Sequence, residues 1–106
     1  MFFLVQTLLP LLADGGRSVN FSSGLTRVSY PGFSAYAAAK AAVEMLSVYM
    51  ARELGGRGIT VNTVAPGAIA TDFGGGLVRD DAGVNAQFAA MTALGRVGVP
   101  EDIGPM

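Results

Sequence analysis

The sequence predicts an α/β fold built on one βαβ unit, and three observations carry that prediction. Ile59-Thr60-Val61-Asn62-Thr63-Val64 is a β-branched run, the clearest strand signal in the chain. Arg17-Ser18-Val19-Asn20-Phe21-Ser22-Ser23 reads as a second short strand running into a Ser-Ser-Gly loop. Between them, residues 35–54 repeat apolar side chains at helical spacing and stop at Gly55-Gly56. Two strands joined by a helix of that length should lie parallel, with a right-handed crossover.

Composition sets the outer limits. The 106 residues suffice for one domain, 1–106, around one modest core. Of these, 51% are hydrophobic and only 14% charged, with a mean hydropathy of +0.47. Charged residues usually make up roughly a quarter of a soluble chain. So much apolar surface needs a covering partner: more protein, another copy of the chain or a membrane. The net charge is −1 and the seven basic residues are scattered, so no basic patch points to nucleic acid. There is no Cys and no His, which excludes disulfides, thiol nucleophiles, His bases and the usual zinc sites; no metal site is expected. Proton chemistry is left to Tyr, Lys, Ser or a carboxylate.

In chain order, Met1–Leu12 is an apolar run that is too short to span a bilayer. It lacks the charged start and cleavage site of a secretory leader, so the expected location is cytoplasmic, without a membrane partner. It reads as the end of a buried helix, with Asp14-Gly15-Gly16 supplying a left-handed stop. The loop from Gly24 ends at Pro31-Gly32 and delivers the chain into the long helix, with Ser34 as the expected cap. Ala39, Val43, Leu46, Met50 and Leu54 form one apolar side of that helix, and Ala38, Ala42, Met45 and Tyr49 a second. One side should pack on the sheet and the other on a neighbour, so a homo-oligomer through the 35–54 helix is expected. Phe73–Leu94 carries Gly74-Gly75-Gly76, a compliant hinge or a slack loop, followed by an Ala-rich apolar piece.

Within the helix, Tyr36 and Lys40 are four residues apart and therefore share a face. A cation beside a phenol favours the phenolate, which makes Tyr36 a candidate proton donor or acceptor. Taken alone, the pair is as well read as a surface Lys beside a half-buried Tyr. Its surroundings change the balance. In parallel sheets, ligands sit beyond the carboxyl ends of the strands. Ser22-Ser23 and Pro66-Gly67 both follow such ends, and the Tyr36–Lys40 turn opens the helix between them.

These residues carry a resemblance to the short-chain dehydrogenase/reductase family. Tyr36-x-x-x-Lys40 is similar to its catalytic motif, and Ser23 lies at the offset of its catalytic serine, thirteen residues earlier. Asn62 to Thr71 is similar to the family's N-x-V-x-P-G-x-I-x-T segment, and Arg96 to Ile103 to its R-x-G-x-P-E-D-I stretch. The resemblance implies a Rossmann-like, doubly wound parallel sheet. It implies an NAD(P)-dependent oxidoreductase that reduces a carbonyl or oxidises an alcohol. Tyr36 is then the general acid/base, Lys40 lowers its pKa and holds the nicotinamide ribose, and Ser23 polarises the substrate oxygen, with Ser22 as the alternative. Pro66, Gly67, Ile69 and Thr71 match positions that receive the nicotinamide and adjoining phosphates; by themselves they also read as a turn and a helix cap. Residues 73–94 match the substrate lid.

Parts of the family pattern are missing. No glycine-rich dinucleotide turn follows a strand, and the residue that chooses NAD or NADP is missing with it. The expected architecture is therefore a partial Rossmann-like domain, a βαβ core lacking the N-terminal dinucleotide-binding half. Two other functions stay open on the same residues. One is a cofactor-independent ester hydrolase with Ser23 as nucleophile beside Tyr36 and Lys40. The other is an inactive piece or an interaction module.

Overall fold

A computed structural model describes residues 1–105 and divides the chain into two compact units, Met1–Ala65 and the residues from Pro66 onward. The first unit contains the expected βαβ crossover. Strand β1 (Arg17–Phe21) pairs in parallel with β2 (Thr60–Val64), in register from Arg17 opposite Thr60 to Phe21 opposite Val64. The ladder runs one rung further at each end. The Thr60 amide donates to the Gly16 carbonyl, and the Ser22 amide to the Val64 carbonyl at 2.7 Å.

An amino-terminal helix, α1 (Phe2–Leu8), precedes the sheet, and the long helix α2 (Ser34–Leu54) connects its strands. Side chains alternate across a strand, and the half-buried positions of β1, Ser18 and Asn20, turn toward α2 together with Val61 and Thr63 of β2. Met50 and Leu54 of α2 meet Ile59 in the buried core, with Val5, Leu9, Leu12, Leu46 and Val61 around them. The opposite face of the sheet is open, and Val19 and Phe21 are about half exposed there, at 54% and 49%.

Several sequence expectations are corrected. The Met1–Leu12 segment is helical, but none of its residues is buried, and Phe3 and Leu11 are nearly four-fifths exposed. Its helix ends at Leu8 and passes into a 3-10 turn over Leu9–Leu11, so Gly15 does not stop it. Gly15 is left-handed in the later turn that enters β1, where its amide bonds the Arg57 carbonyl. Ser34 is the first residue of α2 rather than its cap; Phe33 holds the cap position without a side-chain bond. The end of α2 runs into a 3-10 turn over Gly55–Arg57, and the left-handed residue that releases the chain is Gly58. On the first apolar side of α2, Leu46, Met50 and Leu54 pack against Ile59 and Val61 as expected, while Ala39 is exposed; on the second, the side expected to meet a neighbour, Met45 and Tyr49 are about 60% accessible in the single chain.

The second unit is built of short pieces. Ile69 forms an isolated parallel bridge with Gly98, with the Gly98 amide donating to Ala68 and the Ala70 amide to Gly98. Gly74, Gly75 and Gly76 all take left-handed backbone in a turn over Phe73–Gly76. Helices α3 (Leu77–Asp80) and α4 (Ala82–Ala90) follow, the latter capped by the Asp81 carboxylate, which accepts from the Val84 amide. No helix among the described residues is long and apolar enough to cross a membrane.

Candidate active site

The amino-terminal half of α2 carries a line of polar side chains at four-residue spacing: Tyr36, Lys40 and Glu44. The helix presents this line, continued by Ser47, to the carboxyl end of β1. The Lys40 Nζ donates to the Phe21 carbonyl at 2.9 Å. Ser22 Oγ donates to Glu44 Oε1 at 2.5 Å, and Asn20 Nδ2 donates to Ser47 Oγ at 2.8 Å. Polar contacts thus occupy the α2–β1 seam near the strand's carboxyl end, while Met50, Leu54 and Ile59 form the apolar core at the other end of α2. That arrangement places the Tyr36–Lys40 turn beside the point where β1 ends.

Tyr36 and Lys40 come together as the spacing requires. The Lys40 ammonium lies 5.7 Å from the centroid of the Tyr36 ring, within the range of a cation–π contact. Phe33 lies edge-on to the half-buried tyrosine ring, with centroids 6.5 Å apart.

The two serines have different surroundings. Ser22 is buried, at 4% exposure, and bound on both sides: its amide closes the sheet ladder, while its hydroxyl contacts Glu44 and the Lys40 carbonyl. Ser23 is the first residue clear of the sheet and is half-buried. Its Oγ accepts from the Leu25 amide at 3.2 Å and caps the 3-10 turn Gly24–Thr26. A serine hydroxyl that accepts in this way keeps its own O–H as a donor.

Sequence reasoning gave Glu44 no role beyond a polar position on the helix, and it missed Thr26 and Arg27. The Glu44 carboxylate accepts from Ser22 Oγ, from Thr26 Oγ1 at 2.8 Å and from both terminal nitrogens of Arg27 at 3.0 and 3.3 Å. These donors hold its carboxyl below the usual carboxylate range; the Ser22 hydrogen bond is the largest cause, followed by those from Thr26 and Arg27. The signal that could have found it was spacing, since Glu44 is one further turn along the face of Tyr36 and Lys40.

Pro66, Gly67, Ile69 and Thr71 belong to the second unit. A side chain at Gly67 would meet nothing within 4 Å, so this backbone is open on that side. Ile69 is held by its bridge to Gly98, and Thr71 Oγ1 accepts from the Phe73 amide at 3.3 Å, keeping its O–H as a donor. The Lys40 ammonium carries three N–H donors, one of them directed to Phe21. Ammonium and hydroxyl donors suit the ribose hydroxyls and the carboxamide or phosphate oxygens of a nicotinamide dinucleotide. Among the described residues no group of His, Cys, Asp and Glu could hold a metal ion.

Known proteins resemble most of the chain. A family model described as enoyl-(acyl carrier protein) reductase matches residues 1–106. An NADPH-dependent aldehyde reductase-like protein of Arabidopsis thaliana chloroplasts is 46% identical over 93 residues, which are 87% of this chain and 33% of that protein. The angucycline C-6 ketoreductase LanV, solved with bound NADP, superposes with a TM-score of 0.82 at 39% identity, covering 93% of this chain and 37% of its own. A blue fluorescent protein from a metagenomic library, solved with NADPH, gives a TM-score of 0.86 at 35% identity, covering 99% and 41%. The chain therefore spans between a third and a half of the length of each of these relatives.

Proposed function

The chain belongs to the short-chain dehydrogenase/reductase family, and from that premise we propose that it serves an NAD(P)-dependent oxidoreductase acting on the carbonyl or alcohol of a small molecule. The observation that supports this reading most directly is the Tyr36–Lys40 pair, a phenol and an ammonium one helical turn apart beside the end of β1.

In the reducing direction, the Tyr36 hydroxyl gives its proton to the substrate oxygen as that oxygen gains negative charge. The nearby Lys40 charge stabilises the phenolate left behind. The Ser23 O–H donates to the same substrate oxygen and stabilises its developing charge, an oxyanion-type role. By the family resemblance, Lys40 would hold the nicotinamide ribose of the cofactor, and Pro66, Gly67, Ile69 and Thr71 match the positions that receive the nicotinamide carboxamide and the adjoining phosphates. When bound, that cofactor supplies or accepts the hydride. In oxidation the Tyr36 phenolate takes the alcohol proton back. Residues 73–94 act as the substrate lid, hinged on the three glycines, and the exposed side of α2 carries self-association.

The test is a fluorescence titration of the chain with NADH and NADPH, paired with a carbonyl-reduction assay. Saturable binding that Lys40→Ala weakens, with turnover that Tyr36→Phe lowers by about 10²-fold or more, is expected. No binding at cofactor concentrations up to about 1 mM, near the upper end of ordinary KM values, would remove the reading. Ester cleavage without cofactor, abolished by Ser23→Ala, would replace it with the hydrolase.

A further inference from the structure

We propose that Glu44 is a positioning residue that sets Ser23 against Tyr36 and Lys40 by tying the loop after β1 to the catalytic face of α2. The inference rests on the oxidoreductase reading for its catalytic consequence; the anchoring itself does not.

The loop from Ser22 to Arg27 leaves the sheet as a single 3-10 turn. Internally it has few restraints: the Thr26 amide bonds the Ser23 carbonyl, and the Arg27 and Val28 amides bond the Gly24 carbonyl. Such short turns have poor hydrogen-bond geometry and are weak by themselves. Glu44 fixes this one to the helix, alongside the contact of the Ser22 hydroxyl with the Lys40 carbonyl. Its carboxylate receives donors from both sides of Ser23 in sequence, Ser22 before it and Thr26 and Arg27 after it. The Thr26 hydroxyl also lies 2.9 Å from the Ser23 carbonyl, and the guanidinium of Arg27 touches Thr26 Oγ1 at 2.8 Å. One carboxylate therefore closes a network around the backbone of Ser23 while leaving the Ser23 hydroxyl outside it.

The same carboxylate is rigidly placed relative to the reacting pair. It stands one turn beyond Lys40 and two turns beyond Tyr36 on a continuous helix. Glu44 acts on Ser23 through the loop, by its contacts with Ser22, Thr26 and Arg27. A misplacement of about 1 Å in a reacting group costs roughly 10²-fold in rate.

Glu44→Ala, Glu44→Gln, Thr26→Val and Arg27→Met separate the elements of this arrangement. In Glu44→Ala the Thr26, Arg27 and Val28 amides should exchange with solvent at least about ten-fold faster, while those of Met50 to Leu54 keep their protection. Glu44→Gln retains an oxygen that accepts from the hydroxyls and should restore part of that protection. Thr26→Val and Arg27→Met remove donors without altering α2, and should loosen the loop less than Glu44→Ala. In the reduction assay, kcat should fall about ten-fold or more across the series in the order of loop loosening, with the Kd for NADPH unchanged.

Unchanged loop exchange in Glu44→Ala would overturn the anchoring. A loosened loop with unchanged kcat, or a Kd that rises with the fall in kcat, would overturn the positioning role. A wild-type chain without reductase turnover would fail the oxidoreductase reading and with it the catalytic part of this proposal; the exchange series would still decide the anchoring by its own readout.

Discussion

At the scale of single residues, adjacent Ser22 and Ser23 differ in role. The ladder bond from the Ser22 amide and the two contacts of its hydroxyl make Ser22 part of the β1–α2 seam. Ser23, one position later, lies beyond the strand, and its Oγ caps the following 3-10 turn. The offset from Tyr36 was readable in the sequence, and so was the Tyr36–Lys40 spacing. The role of Glu44 was not, because its donors come from three loop residues 17 to 22 positions away in the chain. Glu44 also makes the loop sensitive to acid. Its carboxyl binds a proton more weakly in the folded chain than in the unfolded one. The unfolded chain therefore holds more protons below the ordinary glutamate range, and stability falls with falling pH there. The contribution is complete at neutral pH and is lost as pH drops below the ordinary value of 4.5 and through the depressed folded value. Denaturant melts across that range should show a shallower acid loss in Glu44→Gln than in the parent. Asp80 and Asp102, also held low by neighbouring arginines, leave the rest of the slope in place.

At the scale of elements, α2 shows what periodicity reads in a helix and what it leaves out. Its apolar residues are spread over two sides, and its sheet-facing side is polar for half its length, where Lys40, Glu44 and Ser47 meet β1. A pattern that counts only apolar residues assigns such a side to solvent. The Arg96–Ile103 stretch is a second case. Its motif was recognisable, but its packing was not: Gly98 bridges Ile69, and the Arg96 guanidinium forks onto both oxygens of Asp102 at 2.7 and 2.8 Å. A Cβ on Gly98 would lie 2.3 Å from Ile69 Cδ1. Gly98→Ala should therefore displace the Ile69 side chain and cost about 1 kcal/mol, the low end of overpacking because that methyl can rotate away. Gly75→Ala should cost a similar amount, about 1–2 kcal/mol, for an unrelated reason: its φ of +74° is left-handed and nothing crowds it. Chemical melts of the two variants, with a crystal structure or nuclear Overhauser contacts at Ile69, separate the causes. Only Gly98→Ala should move Ile69.

At the scale of the whole molecule, the apolar composition is explained by what stays uncovered. The sheet has two strands, one face open at Val19 and Phe21, and α2 leaves Met45, Val48 and Tyr49 about 60% exposed. Isolated apolar residues on a surface are ordinary, but contiguous patches mark contacts. Open parallel strands also present unpaired backbone groups at both edges. The chain on its own should associate: sedimentation at micromolar concentration should show species larger than a monomer. Replacing Met45 and Val48 by charged residues should shift the distribution toward monomer if α2 carries the contact. A well-folded dilute monomer would refute the association. Composition predicted apolar surface left uncovered. It could not tell which faces would carry it, because that depends on how α2 packs on the sheet.

The register in which β1 and β2 align governs the order of assembly during synthesis. Arg17 aligns with Thr60, 43 positions later in the chain. At the usual 5–20 residues per second, a ribosome needs about 2–9 s to add that interval. A helix of the size of α2 forms within about a microsecond once its residues are free. β1 therefore waits for seconds with its hydrogen-bonding edge unmatched, and for most of that time α2 is still being made, since its last residue, Leu54, precedes Thr60 by only six positions. Over that interval the nascent chain carries a loose strand without the partner that closes its ladder.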